Sequence, residues 1–380
     1  MNRILQVVVE KNMYVKQAAF ADDISGAGKL LALKIWWDAI IYYGPFLGYY
    51  AKPSKSWLIV KPEYRVEASN IFANAGINIT VEGRKHLGAV IGTEIYKEEF
   101  VNESVDKWVM ELQNLSKIAL SEPHVAYAAY VHGIQHKYTY MMRTIPNIAE
   151  KLVRLDQAID RFIKSLLNNY DFNANERTIF SLPVKFGGLG IKIPSTEADH
   201  QYKNSVFITE SLKEHVVEQK VKLEIDSEEI KKRKNIVKTE KLTRDETTVN
   251  NIKSSLSSQQ KRILDCVSEL GASNWLTTLP IKKYDFYLDK QSFRDAIYLR
   301  YDIMLPKLPI NCVCGAAYTV NHALSCPRGG FNIIRHNEIR DLTGDLLNII
   351  CNDVEIEPKL TPLSGETLKK NHQILLTKRE

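Results

Sequence analysis

The chain has 380 residues, with 51 Lys and Arg against 45 Asp and Glu, a formal charge of +6, and 44% apolar and 25% charged residues. That length buries ample core and leaves room for two or three modest domains of ordinary globular composition. The mild positive charge suits attraction to phosphate backbones, although many intracellular enzymes are as basic. Five cysteines, three of them within residues 312–326, argue against a disulfide framework in a chain this long and favour a reducing compartment. No apolar run is long enough to cross a bilayer, and Met1-Asn2-Arg3 leads into only a short apolar stretch before Glu10 and Lys11. The expectation is an intracellular protein, in nucleus or cytoplasm, with no membrane partner.

In chain order, Val15, Ala18, Ala19 and Phe20 run into Ala21-Asp22-Asp23 and then Ile24-Ser25-Gly26-Ala27-Gly28. This predicts a β-hairpin with its acids at the tip. Neighbouring side chains on a strand face opposite ways, so Asp22 and Asp23 have different tasks. One can face a groove as an oxygen ligand for a divalent cation while the other flanks it. Nucleotidyl transfer uses such a carboxylate to hold the ions that clamp attacking and leaving oxygens. A solvated acidic turn is the plainer account of the same residues. Leu30, Leu33, Trp37 and Ile40 then recur at helical spacing, with Gly44-Pro45 as the stop, and core packing accounts for Trp36, Trp37 and Tyr42 better than base stacking does. Trp57 to Val60, bracketed by Lys55 and Lys61, predicts a strand; residues 63–75 predict a short helix and residues 77–81 another strand. A turn at Glu82-Gly83 leads to Leu87-Gly88-Ala89-Val90-Ile91-Gly92, a second hairpin. Its glycines serve either turn geometry or the close approach of a nucleic-acid backbone.

From about residue 94 to 170 the pattern is helical: Ile148, Leu152, Leu155, Ile159, Phe162 and Leu166 alternate steps of four and three, as in a bundle. Lys151, Arg154, Arg161 and Lys164 occupy the other face, where they meet either phosphates or solvent. Leu182-Pro183 with Gly187-Gly188-Leu189-Gly190 has neither dinucleotide-binding nor P-loop spacing and reads as a tight structural turn. Residues 210–262 alternate Glu and Lys around Lys231-Lys232-Arg233-Lys234 and read as a linker with charged helices. That basic run binds nucleic acid, directs nuclear import, or is simply solvated. Trp275 to Pro280 and Phe293 to Arg300 restore order.

Cys312-x-Cys314-x7-His322-x3-Cys326 supplies three thiols and an imidazole within fifteen residues. Ligand softness and number suit a tetrahedral Zn2+ that is structural, because four protein ligands leave no open position. The single residue between the first two cysteines departs from the two or more usual in zinc knuckles. Arg335-His336-Asn337-Glu338 follows, then a helical pattern through Ile350 and Glu355-x-Glu357-Pro358.

Taken together and in this order, Phe20 to Asp23, Lys55-Ser56-Trp57-Leu58-Ile59-Val60-Lys61, His86-Leu87-Gly88, the Leu182 to Gly190 turn and the Cys/His cluster resemble a reverse transcriptase. The likeness is to non-LTR retrotransposons whose polymerase is followed by a zinc knuckle and a restriction-like endonuclease. The resemblance implies an α+β, predominantly helical fold: a partial palm with β-hairpins over 1–93, a helical thumb over 94–209, a charged linker over 210–262, a helical segment and knuckle over 263–330, and the start of an α/β nuclease over 331–380. It implies catalytic roles for Asp22, a Mg2+ ligand, and Asp23, its support. Lys55 and Lys61 would approach an incoming deoxynucleoside triphosphate, and Gly88 would lie in a primer-gripping hairpin. Arg335, His336 and Asn337 would open the nuclease remnant. The parent reaction is RNA-templated DNA synthesis, with RNA and DNA as partners. The family's other metal-binding aspartate lies on an earlier palm strand, and the nineteen residues before Phe20 contain no aspartate. The expectation is therefore a fragment truncated at both ends and inactive alone. The alternatives are a non-catalytic nucleic-acid-binding protein derived from a retroelement, and an interaction protein with no nucleic-acid role.

Overall fold

The computed structural model describes residues 14–219, 227–328, 330–357 and 377–378. The amino-terminal run considered for a targeting signal, residues 220–226 of the charged stretch, and Pro358 lie outside them. The chain divides into two units, residues 1–303 and 304–380. The described residues are mostly helical with small two-stranded sheets, a general α+β class.

The first unit opens with β1 (Lys16–Phe20) and β2 (Asp23–Ala27), antiparallel from Lys16↔Ala27 to Phe20↔Asp23. Helix α1 (Leu30–Tyr43) packs beneath, and Trp36, Trp37, Ile40, Val15 and Phe72 form a small core. Strand β3 (Trp57–Ile59) is followed by α2 (Arg65–Ile71) and β4 (Asn78–Thr80), which pairs with β3 in parallel. The intervening helix is the crossover that parallel strands require. Leu58 and Ile79, directly opposite one another, point into the same core. A second hairpin, β5 (Gly83–His86) and β6 (Ala89–Gly92), leads into the helices.

Those helices are α3 (Glu94–Ser121), α4 (Pro123–Ala129), a π-helical turn at Tyr130–Ile134, α5 (Gln135–Thr144), α6 (Val153–Leu166), α7 (Ala174–Ser181) and α8 (Pro194–Glu218). Pro123 cannot extend α3 but suits the first position of α4. The apolar stripe from Ile148 to Leu166 is buried throughout, with Leu152, Leu155, Ile159 and Phe162 fully enclosed. Each such side chain contributes about 1.5–3 kcal/mol by leaving water. Helices α3 and α6 run side by side in the same direction: Glu98 meets Lys151, Asp106 meets Arg154, and one guanidinium reaches both carboxyl-terminal ends.

Residues 210–218 of the charged stretch continue α8, and the middle of the stretch forms one long helix, α9 (Ser227–Ser255), polar along most of its length. Only its last turns bury side chains, Val249 and Ile252, against Ile179 and Leu182. After it come α10 (Ser258–Ser268), whose Ser257 and Gln260 form a capping box, the short α11 (Asn274–Thr277), and α12 (Lys290–Arg300). The second unit contains α13 (Val320–Ser325), α14 (Phe331–Ile350), and the two-residue strands β7 (Val354–Glu355) and β8 (Thr377–Lys378), which pair antiparallel.

Candidate functional site: the acidic hairpin and the thiol cluster

Alternation along the first hairpin divides its residues cleanly between two faces. Gln17 and Gly26 face α1: the Trp36 indole N–H donates to Gln17 Oε1 at 2.8 Å, and a side chain at Gly26 would meet the Trp36 ring. Lys16, Ala18, Phe20, Asp23, Ser25 and Ala27 therefore share the other face. Asp22 and Asp23 are both exposed, and Phe20 is 69% exposed beside them. The connecting turn is Ala21-Asp22, with Ala21 at φ 52°, the left-handed region an alanine enters at a cost of about 1–2 kcal/mol. The Tyr49 phenol is held above its ordinary value of 10.0 by burial first, then by the Asp23 and Asp22 carboxylates. Among the described residues, no third carboxylate, imidazole or thiol joins this pair to make a metal-binding group.

The second hairpin meets the first on that open face. His86 Nε2 lies 3.1 Å from Ser25 Oγ, one strand step of alternation from Asp23. Its tip, Leu87-Gly88, takes left-handed conformations at both residues (φ 48° and 79°), the turn that suits strand twist. Tyr140 on α5 holds that tip, its hydroxyl donating to the Leu87 carbonyl at 2.6 Å, and its ring fills the space a side chain at Gly88 would need. Gly88 thus serves turn geometry and packing. Lys55 and Lys61 are exposed on either side of β3. Of the four basic residues opposite the α6 stripe, Lys151, Arg154 and Lys164 pair with Glu98, Asp106 and Asp171, and Arg161 is exposed.

The glycine-rich turn owes its sequence to packing. Gly187 is left-handed (φ 83°) against Leu264, and a side chain at Gly188 would collide with the Leu182 carbonyl. Its buried main-chain oxygens are satisfied by side chains from other elements: Tyr127 donates to Leu189, Tyr301 to Gly187, and Arg300 to Gly188.

In the second unit, the thiol cluster is assembled by two local devices. Residues 311–317 form a tight turn in which Cys312 N–H donates to Ala316 and Gly315, at φ 89°, N–H to Cys312. Thr319 then caps α13, accepting from the His322 N–H, so His322 and Cys326 sit one turn apart on a short helix. The four donor atoms lie within 4.8 Å of one another, with Cys312 Sγ to Cys326 Sγ at 3.7 Å and Cys314 Sγ to His322 Nε2 at 3.2 Å. A tetrahedral zinc with Zn–S near 2.3 Å and Zn–N near 2.0–2.1 Å would place two sulfurs roughly 3.8 Å apart and sulfur and nitrogen roughly 3.6 Å apart. These two pairs are within a few tenths of an ångström of that arrangement, all four donors lie within about 1 Å of it, and the sulfur pair is far beyond disulfide length. These residues can hold a metal ion such as zinc, and the one-residue Cys312–Cys314 gap does not prevent convergence.

Arg335, His336 and Asn337 lie in the second turn of α14. Gly330 occupies the cap position of that helix. His336 Nε2 is 3.8 Å from Glu357 Oε1, and Arg340 Nη1 donates to the same oxygen at 2.8 Å, holding the Glu357 carboxyl below its usual range.

No protein-family model and no curated protein matches this chain. No described helix is long and apolar enough to cross a membrane.

Three buried arginines escaped the sequence reading. Arg177 reaches Asp160 and the carbonyls of Ile191 and Lys192; Arg300 reaches Ser273; Arg294 reaches four main-chain carbonyls. The only available signal was position: Arg294 and Arg300 fall on the apolar stripe of α12, in step with Phe293 and Ile297.

Proposed function

We propose that this chain derives from a retrotransposon RNA-directed DNA polymerase, binds nucleic acid and does not by itself synthesise DNA. The observation that carries the reading is the meeting of the two hairpins through Ser25 and His86 on the face left open by α1, beside the exposed Asp22 and Asp23. In the parent enzyme Asp22 would hold Mg2+ and Asp23 would support it, while the hairpin ending at Gly88 would steady a primer. A cation clamped for in-line displacement needs more carboxylate ligands than this pair supplies. The structural zinc would fold the Cys312–Cys326 element, contributing folding free energy and no catalysis.

That missing third ligand among the described residues also favours the second reading, a non-catalytic nucleic-acid-binding protein derived from a retroelement. Primer extension on an RNA template with Mg2+ and deoxynucleoside triphosphates separates activity from binding. The expected outcome is no extension, together with salt-sensitive binding to RNA or DNA that survives Asp22→Ala. Extension by the purified chain that disappears in Asp22→Ala would overturn the claim of inactivity. Absence of binding even at low salt would overturn both readings and leave an interaction protein.

A further inference from the structure

Strand β3 turns Leu58 into the core, so Trp57 faces away from it and is 40% exposed. Over its ring lies the Arg84 guanidinium, 4.1 Å from the centroid, delivered by β5. Two residues further along β5, on the same face, is His86, which touches Ser25 on β2, and two residues back from Ser25 is Asp23. A continuous surface therefore runs from the Trp57–Arg84 stack to the acidic tip, roughly 15–20 Å long given strand rises of about 3.3 Å per residue. Exposed Lys55 and Lys61 flank Trp57, and residues 52–92 contain six Lys and Arg against three Glu and no Asp.

We infer that the Trp57–Arg84 stack is a nucleobase platform for single-stranded nucleic acid entering toward the acidic hairpin. The free face of the planar guanidinium accepts a base, while Lys55 and Lys61 neutralise the flanking phosphates. The chemistry is stacking plus charge, tolerant of sequence and shared by RNA and DNA. This inference rests on the nucleic-acid reading above and gives it a named contact. A lysine at position 84 would keep the charge and lose the plane, so the two contributions are separable.

The chain reports on the site itself. Of its five tryptophans, Trp36 and Trp37 are buried, Trp108 and Trp275 are half-buried, and Trp57 alone is exposed. The test titrates the full chain, at about 50 mM salt, with fluorescein-labelled oligo(dT) and oligo(U) roughly 12 nucleotides long, following anisotropy and tryptophan emission. Both strands should bind and quench tryptophan emission, and the quench should vanish in Trp57→Phe, which retains a ring and should bind within about threefold of wild type. Trp57→Ala should weaken binding about 5- to 150-fold and Arg84→Lys should weaken it in the same sense, with thermal midpoints recording that the variants fold. Preference for one strand would assign the platform to RNA or to DNA without altering its chemistry. Wild-type binding that is unchanged by Trp57→Ala and Arg84→Lys, with no quench, would overturn the platform while leaving the nucleic-acid reading intact. No binding by the wild-type chain would overturn both.

Discussion

Arg294 offers the most searching test of how the helical part of this protein is held together. Its side chain is 5% exposed, and it donates from Nε to the Leu166 carbonyl at 2.9 Å and from Nη2 to Ala119, Leu120 and Ser165 at 3.2–3.3 Å. Those oxygens belong to the last turns of α3 and α6, where a helix leaves carbonyls without intrahelical donors and carries its partial negative charge. One cation therefore closes two parallel helix ends, and burial pulls its pKa below the usual guanidinium value. Arg294→Met keeps much of the apolar stem and removes every donor. Each buried acceptor left unpaired costs about 1–3 kcal/mol, partly recovered by water entry and by relief of the charge's own desolvation, so a net loss of about 3–5 kcal/mol is expected. With a urea dependence near 2–3 kcal/mol/M, the unfolding midpoint should fall by roughly 1–2.5 M. Amide exchange in the final turns of α3 and α6 should accelerate before that in the middle of α6. Arg294→Lys should fall between, since one ammonium cannot span both helix ends. A midpoint within about 0.3 M of wild type and unchanged exchange for Arg294→Met would refute the reasoning.

Other parts of the fold give independent expectations. Ala21→Gly removes the cost of a left-handed alanine at the acidic tip and should stabilise the protein by up to about 1 kcal/mol, read as a raised thermal midpoint. His124 is buried with its Nδ1 accepting from Leu288 N–H at 3.0 Å, and burial lowers its pKa from 6.5. The unfolded chain then binds the proton more readily, so this contribution is fully present above pH 6.5 and is lost as pH falls below it; urea midpoints at several pH values should show the loss in wild type and a shallower loss in His124→Phe. Cys314→Ser, or chelation of the wild-type chain, should remove one equivalent of zinc by atomic absorption and abolish amide protection across residues 312–326. Gly188→Ala should cost more than about 3 kcal/mol in urea unfolding, because the added carbon meets the Leu182 carbonyl with no free space between them.

The features readable in the sequence are those encoded within a few residues. The Asp22-Asp23 hairpin, the α6 stripe, the glycine-rich turn and the Cys312–Cys326 cluster each follow from spacing that one strand, one helix or one turn translates directly into geometry. The candidate metal ligands belong here because all four converge within a segment of fifteen residues. Tertiary structure alone decided that Ser25 would meet His86 across 61 residues, that Arg84 would lie over Trp57, and that Arg294 would close two helices begun far upstream. Arginines and histidines carry no local mark of their partners. A guanidinium on an amphipathic helix looks the same whether it ends in water or against buried carbonyls, and only the packed chain supplies the acceptors that make burial of its charge tolerable.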